Sequence, residues 1–174
     1  MRYRTDPGPG VRRNDGGIVA ERPGLDIRDD SGEGFDTADL AGLATFLLDA
    51  LRMGPDAELS VTLVDESTMA DLHVEWMGEP GPTDVLSFPM DEITEPAPGQ
   101  PAAGGVLGDV VICPAVARRQ AVVADHAPEH EMRILLTHGV LHLLGLDHVT
   151  PEEELVMFQR QRELVAEYER AVGG

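Results

Sequence analysis

Apolar residues recur along this chain with the period of a helix in some stretches and the period of a strand in others. Residues 59–63 alternate leucine or valine with serine or threonine, which predicts a half-buried strand. A helical stripe of leucines precedes them, and Asp36 stands at the position of its N-cap. That stripe consists of Leu40, Leu43, Leu47 and Leu51. A domain that combines helices with a sheet is therefore expected.

Turn and cap residues mark the elements around these two. Residues 25–28 are predicted to form a short first strand. Gly54-Pro55 is expected to end the leucine-rich helix. Asp65 caps a second helix, which runs to about Met77. The apolar positions that this second helix is expected to bury are Met69, Leu72 and Trp76.

The second half of the chain predicts two more strands and then three helices. Residues 85–88 and 106–113 are extended, and the proline- and glycine-rich residues 91–105 form a flexible, hairpin-like loop between them. Pro114 and Pro128 each open a helix at its first position, and Thr150-Pro-Glu-Glu153 is a capping box for the last one. The order β-α-β-α-β-β-α-α-α predicts an α+β domain, with a mixed four-stranded sheet covered by helices.

The first 24 residues differ in composition from the domain expected over residues 25–174. They are rich in glycine, proline, aspartate and arginine, a combination that interrupts regular elements. We therefore expect residues 1–24 to form a disordered extension ahead of a single domain.

The chain carries a formal net charge of −19, and the part from Asp29 onward carries −21. A surface of that sign repels nucleic acid at long range, so an RNA function requires a local cation or a partner. The single cysteine excludes an internal disulfide, and no apolar run is long enough to cross a membrane. With no signal segment at the start, these features favour the cytoplasm.

The most informative stretch reads His138-Gly-Val-Leu-His-Leu-Leu-Gly-Leu-Asp-His148. The residues around its first two histidines are apolar on almost every side, which is typical of a buried helix. His138 and His142 lie four residues apart and therefore share one face of that helix. Two buried imidazoles need partners, and a metal ion satisfies both by taking a lone pair from each.

The third histidine completes a set of ligands. Gly145 stands where the helix should end, because glycine adopts the left-handed conformation of a helix C-terminus without strain. The chain then folds back and presents His148 to the same point. Three imidazoles with an open fourth position make a catalytic type of zinc site. One Zn²⁺ per chain is therefore predicted on His138, His142 and His148.

The spacing of these histidines is that of a metzincin protease, with one difference. Such proteases carry glutamate directly after the first histidine as the general base, and here that residue is Gly139. Zinc lowers the pKa of its water toward about 7, which suits hydrolysis of a phosphodiester as well as a peptide. Since glycine cannot accept a proton, the sequence disfavours a protease.

Three blocks of the sequence resemble the signature motifs of the YbeY endoribonucleases. They are Pro82-Thr-Asp-Val-Leu-Ser-Phe-Pro89, Leu107-Gly-Asp-Val-Val-Ile-Cys113 and the histidine block. The resemblance runs from about residue 25 to the C-terminus, and it assigns the metal ligands to the same three histidines. It implies a zinc-dependent enzyme that cuts single-stranded RNA. It also implies roles in 16S ribosomal RNA 3′ end maturation and ribosome quality control, with the small ribosomal subunit or its proteins as partners.

The resemblance draws attention to further positions around the site. Many family members carry an arginine shortly before the Pro-Thr-Asp block, and Met77 stands there in this chain. Arg118 or Arg119 is a candidate to replace that cation. Asp84 and Asp109 lie in signature blocks and either steady the site or cap turns. The general acid and base are not assigned.

Two alternatives to an endoribonuclease remain open from the sequence. One is a zinc metalloprotease-like hydrolase, against which Gly139 counts. The other is a non-catalytic ribosome assembly factor with structural zinc, which the acidic surface and Met77 favour. A factor of that kind is expected to unfold without its metal and to cleave no RNA.

Overall fold

A computed structural model of the protein describes residues 11–14, 17–20 and 22–174. The strands Val11–Asn14 (β1) and Gly17–Ala20 (β2) pair as a small antiparallel sheet. Apart from residues 22–24, the rest of the extension predicted for residues 1–24 lies outside the described residues, so its disorder and its boundary stay predictions. At its end, Arg22 donates hydrogen bonds to the backbone carbonyls of Met53 and Gly54.

The domain that follows contains nine elements in the order that the sequence predicts. Its strands and helices are β3 (Leu25–Asp29), α1 (Thr37–Ala50), β4 (Met53–Leu63), α2 (Glu66–Met77), β5 (Val85–Pro89), β6 (Ala103–Ile112), α3 (Pro114–Ala124), α4 (Pro128–Leu143) and α5 (Pro151–Gly173). The sheet order is β3-β4-β6-β5. The first three strands are parallel, and β5 runs antiparallel to β6 at one edge. The predicted α+β fold with a mixed four-stranded sheet is confirmed.

Local capping explains where several helices begin. Asp36 and Asp65 each accept hydrogen bonds from backbone N–H groups in the first turns of α1 and α2. Thr150 and Glu153 form the predicted capping box of α5. A side-chain cap contributes typically about 1 kcal/mol. These helix starts are therefore encoded by residues next to one another in the sequence.

The end of α1 differs from the prediction. The helix stops at Ala50, and Gly54-Pro55 lies inside β4. The turn is made by Arg52, whose φ of 60° is unusual for a residue with a side chain. Its guanidinium donates to backbone carbonyls of the loop between β5 and β6, including that of Ala97 at 2.6 Å. A contact distant in sequence therefore holds this turn.

The second helix also differs, because it buries fewer residues than expected. Among its apolar side chains, Met69 is fully buried and Leu72 is partly buried, but Trp76 is 59% exposed. The helix covers only a small apolar cluster, which consists of Val64, Met69, Leu86, Val111 and Cys113. The end of α2 extends past that cluster, so Trp76 lies outside it.

The main core lies on the other face of the sheet, and α4 is at its centre. This helix contacts β5, β6, α1, α3 and α5. Its apolar side chains are almost fully enclosed, which confirms the buried histidine helix predicted from the sequence. Among the described residues, no helix combines the length and apolar character that a membrane crossing requires.

A polar network fixes the last helix against the histidine helix. The guanidinium of Arg133, on α4, contacts the carboxylates of Asp39 on α1 and Glu169 on α5. The hydroxyl of Tyr168 donates to Asp39 at 3.0 Å. Burial, followed by the neighbouring Asp39 carboxylate, raises the pKa of Tyr168, so the phenol remains a donor. This network and the apolar packing of α5 together hold α5 against α4.

Candidate metal centre

The end of α4 and the turn after it bring three imidazoles together. His138 and His142 project from one face of the helix, and their Nε2 atoms lie 3.1 Å apart. Gly145 follows with a φ of 86°, and the chain reverses there. Ligand nitrogens of His138, His142 and His148 all lie within 4.8 Å of one another. The structure therefore brings together the three histidines that the sequence selects.

The separation of the Nε2 atoms of His138 and His142 fits two ligands of one tetrahedral metal ion. Two imidazole nitrogens bound to zinc at about 2.0–2.1 Å lie roughly 3.3 Å apart. The 3.1 Å between the Nε2 atoms of His138 and His142 is close to that separation. An all-nitrogen donor set also suits zinc better than calcium or magnesium, which prefer oxygen ligands.

A buried glutamine orients the first of these ligands. The Oε1 atom of Gln161, on α5, lies 2.8 Å from Nδ1 of His138, and only 7% of this glutamine is exposed. An amide oxygen only accepts hydrogen bonds, so His138 donates through Nδ1 and keeps the lone pair on Nε2. Sequence reasoning missed Gln161. The sequence did contain a sign of it, because Gln161 is a polar residue on the buried face of α5. The other residues of that face are Met157, Leu164, Val165 and Tyr168.

A phenyl ring from the same helix packs on two of the ligands. The ring centroid of Phe158 lies 5.9 Å from that of His138 and 6.1 Å from that of His148, with nearly parallel planes in both pairs. The backbone N–H of His148 donates to the Asp147 carboxylate at 2.8 Å. The contact with Phe158 restrains the two rings, and the hydrogen bond to Asp147 fixes the backbone of His148. The sequence pattern did not identify Phe158 either.

The environment of the two helical histidines favours their neutral form. Burial is the largest cause that lowers the pKa of His138 below its usual 6.5, while the Gln161 hydrogen bond and the Asp84 charge oppose it. Burial also lowers the pKa of His142, and the other two histidines add to that effect. A neutral imidazole offers the lone pair that a metal needs. The lowered pKa values of His138 and His142 therefore favour the protonation state that a metal ligand requires.

A cavity of about 700 Å³ opens in front of the histidines. One wall is β5, another consists of α4 and α5, and Met77 reaches the lining from the end of α2. The charged side chains that line it, apart from the histidines, are all acidic, namely Asp84, Glu131 and Asp147. Within the described part of the chain, no arginine contributes to this lining. A metal on the histidines would therefore be the main source of positive charge in this cavity.

The remaining candidates from the sequence lie in different places. Asp84 lines the cavity, but its carboxylate already accepts from the next backbone N–H at 2.7 Å and from Gln120 at 3.1 Å. Asp109 is exposed on β6, and Arg118 on α3 pairs with Glu33 at 3.1 Å. The structure brings Asp84 to the site, and it brings neither Asp109 nor Arg118 there.

Met77 stands where many related proteins carry an arginine, and Gly139 stands where metzincin proteases carry a glutamate. These two positions lie in different parts of the structure. Met77 is 61% exposed at the edge of the cavity, so the position of the missing arginine does adjoin the site. Gly139 faces the sheet, and a Cβ atom there would lie 2.7 Å from Cγ1 of Val110. Its carbonyl accepts a hydrogen bond from Ser87 Oγ at 2.9 Å. Glycine is needed at this position because α4 packs directly on β5 and β6.

Comparisons with known proteins show which family this chain resembles. A family model described as Endoribonuclease YbeY matches residues 28–169. A protein of that name from Thermobifida fusca is 57% identical over 148 residues, which cover 85% of this chain and 96% of that protein. Another from Clavibacter sepedonicus is 50% identical over 141 residues, which cover 81% and 92%. The solution structure of a Thermotoga maritima protein is 28% identical with a TM-score of 0.58, covering 84% of this chain and 90% of that one.

Proposed function

The chain belongs to the family of YbeY endoribonucleases, and from this premise we propose that it cleaves single-stranded RNA with a zinc ion on His138, His142 and His148. The observation that carries the proposal is the convergence of three imidazole nitrogens within 4.8 Å of one another at an open cavity. Three protein ligands leave a fourth coordination position free for chemistry.

The residues of the chain have distinct parts in this chemistry. When bound, zinc supplies Lewis acidity and activates water for attack on a phosphodiester. Gln161 holds His138 in the tautomer that binds metal, and Phe158 limits rotation of two of the rings. Asp84, Glu131 and Asp147 are the carboxylates that line the cavity and are therefore the candidates for moving protons.

We assign this activity to maturation of the 3′ end of 16S ribosomal RNA and to ribosome quality control in the cytoplasm. Family membership supports RNA as the substrate. The charge of the protein supports a partner, since a net charge of −21 from Asp29 onward repels free RNA. The small ribosomal subunit, or a basic protein on it, is the partner that fits. It positions the RNA that the acidic surface alone does not attract.

A non-catalytic assembly factor with structural zinc is the second candidate, favoured by the carboxylates of the cavity and by Met77. A protease is disfavoured, because Gly139 packs against Val110 and leaves no space for the usual glutamate.

The test combines metal analysis with two cleavage assays. Purified protein is expected to contain about one zinc per chain and to cleave single-stranded RNA but not casein. A His138→Ala, His142→Ala double variant should lose both the zinc and the RNA cleavage. His130→Ala is the matched control, since this histidine pairs with Glu169 at 2.6 Å and lies outside the cavity.

Each alternative predicts a different result in the same assays. Chelator-sensitive digestion of casein would identify a protease. Zinc-loaded protein that leaves RNA intact and unfolds on chelation would identify an assembly factor. Undiminished zinc in the double variant would show that the histidines are not the ligands.

A further inference from the structure

The edge of the histidine cavity carries an aromatic pair that the metal chemistry does not use. The ring centroids of Trp76, at the end of α2, and Phe88, on β5, lie 5.5 Å apart at an angle of 66°. Phe88 lines the cavity, whereas Trp76 is 59% exposed. An edge-to-face contact of this kind fixes the orientation of the indole. A large aromatic ring is therefore held in place and remains open to solvent beside the site.

Neighbouring apolar side chains extend this surface toward the histidines. Met77 is 61% exposed and lines the cavity together with Phe88 and Pro89. Phe158 lines the same cavity and stacks on two of the histidine rings. Apolar and aromatic side chains are thus present in the cavity lining both near the end of α2 and beside the candidate metal ligands. Large apolar groups that are exposed together beside a cavity are typical of a binding surface.

The charges around the cavity restrict how RNA can be held there. The carboxylates of the lining repel phosphates, and the arginines of α3 lie outside the lining and are paired, Arg118 with Glu33 and Arg119 with Glu66. Contacts to phosphates are therefore a weak source of affinity on this surface. Stacking of a base on an aromatic ring needs no positive charge and tolerates any base.

We propose that Trp76, oriented by Phe88, is a stacking platform for an unpaired base next to the phosphodiester that is cut. The proposal rests on the proposed function, because it requires RNA to lie across the histidine cavity. It also gives a physical reason for acting on single strands. Only a base that has left its helical stack can present its face to the indole. Trp76 therefore selects unpaired RNA as well as binding it.

The lone tryptophan of the chain allows a direct measurement. The fluorescence of zinc-loaded protein is titrated with a short single-stranded 2′-O-methyl RNA, whose integrity is checked on a gel. We expect the single strand to quench Trp76 and the same sequence in a duplex to leave its emission unchanged. The emission comes from the proposed contact itself, and the measurement does not depend on catalysis.

Variants then separate stacking from apolar contact. In anisotropy titrations with labelled RNA, Trp76→Leu is expected to weaken binding by on the order of tenfold, and Trp76→Phe by much less, because phenylalanine keeps a ring. Val123→Ala removes an exposed apolar side chain of α3 outside the cavity and should bind like wild type. The effect of Trp76→Leu should be the same at two salt concentrations, since stacking releases no counterions.

The possible failures are distinguishable. If wild type binds and cleaves RNA without quenching, and Trp76→Leu binds equally well, the stacking platform is wrong and the endoribonuclease stands. If RNA neither binds nor is cut, the proposed function fails. Quenching by a basic ribosomal protein instead of RNA would make this surface a protein-docking site and overturn the proposal.

Discussion

At the scale of single residues, the site depends on side chains that the histidine motif does not contain. The spacing of His138 and His142, with Gly145 after them, was sufficient to predict that these side chains and His148 converge. Gln161 and Phe158 were not predictable in that way, because they reach the site from a different helix. The spacing of residues within one helix shows which of them share a face. The side chains that contact that face depend on how α5 packs on α4, which the spacing does not show.

We predict that Gln161 controls zinc affinity through the tautomer of His138. Gln161→Leu removes the acceptor at Nδ1 and is expected to weaken zinc binding by about 10- to 100-fold. Gln161→Glu should retain tight binding, since a carboxylate accepts the same hydrogen bond. The measurement is competition for zinc against a chromogenic chelator. Gln159→Leu, on the exposed face of the same helix, is the control. Equal zinc affinity in wild type and Gln161→Leu would refute the role.

At the scale of elements, local signals and tertiary contacts account for different parts of the fold. The caps at Asp36, Asp65 and Thr150 are local, and the helices begin where they predict. The end of α1 depends on Arg52, which a distant loop holds at a positive φ, so no neighbouring residue revealed it. Trp76 has the periodicity of a buried residue, but periodicity does not show whether another element covers it.

The close packing of α4 on the sheet leads to a second prediction. Gly139→Ala places a Cβ atom 2.7 Å from Val110 Cγ1 and should destabilise the fold by about 1–3 kcal/mol, partly offset by the higher helix propensity of alanine. Gly139→Glu should destabilise it further, because it also buries a carboxylate. Urea unfolding measures both. For Gly173→Ala, where a Cβ meets nothing within 4 Å, no loss is expected.

A double variant tests whether the contact with Val110 causes the destabilisation expected for Gly139→Ala. Val110→Ala removes the methyl groups that crowd position 139, so the cost of Gly139→Ala should be smaller in that background. An equal cost in both backgrounds would mean that the destabilisation has another origin. Since position 139 faces the sheet, adding a glutamate there is not expected to create a protease.

At the scale of the whole molecule, the dominant property is negative charge. The net charge of −21 from Asp29 onward was visible in the sequence, as was the missing arginine at position 77. The structure adds that Met77 adjoins the cavity and that carboxylates line it. Sequence alone did not show that Asp109 and Arg118 lie apart from the histidines, because their locations follow from the order of strands and helices.

We predict that one positive charge at the cavity has a local effect on RNA binding. Met77→Arg should tighten binding of short single-stranded RNA and steepen its salt dependence by roughly one phosphate contact. Titrations at two salt concentrations measure this. Val123→Arg makes the same change in net charge outside the cavity and should have little effect. Equal gains in both variants would mean that only net charge matters, and tight, steeply salt-dependent binding by wild type would reveal another basic surface.

The placement of the three ligands also has a kinetic consequence. His138 and His142 belong to a helix at the centre of the core, whereas His148 is exposed on the short turn between α4 and α5. Segments of that kind open locally at a much smaller free energy than global unfolding. If His148 departed, a metal on this site would keep only His138 and His142 as protein ligands, and a competing chelator could then remove it from the folded protein. We therefore expect the residence time of a metal bound here to follow the opening of this turn, so that the metal exchanges without global unfolding of the protein.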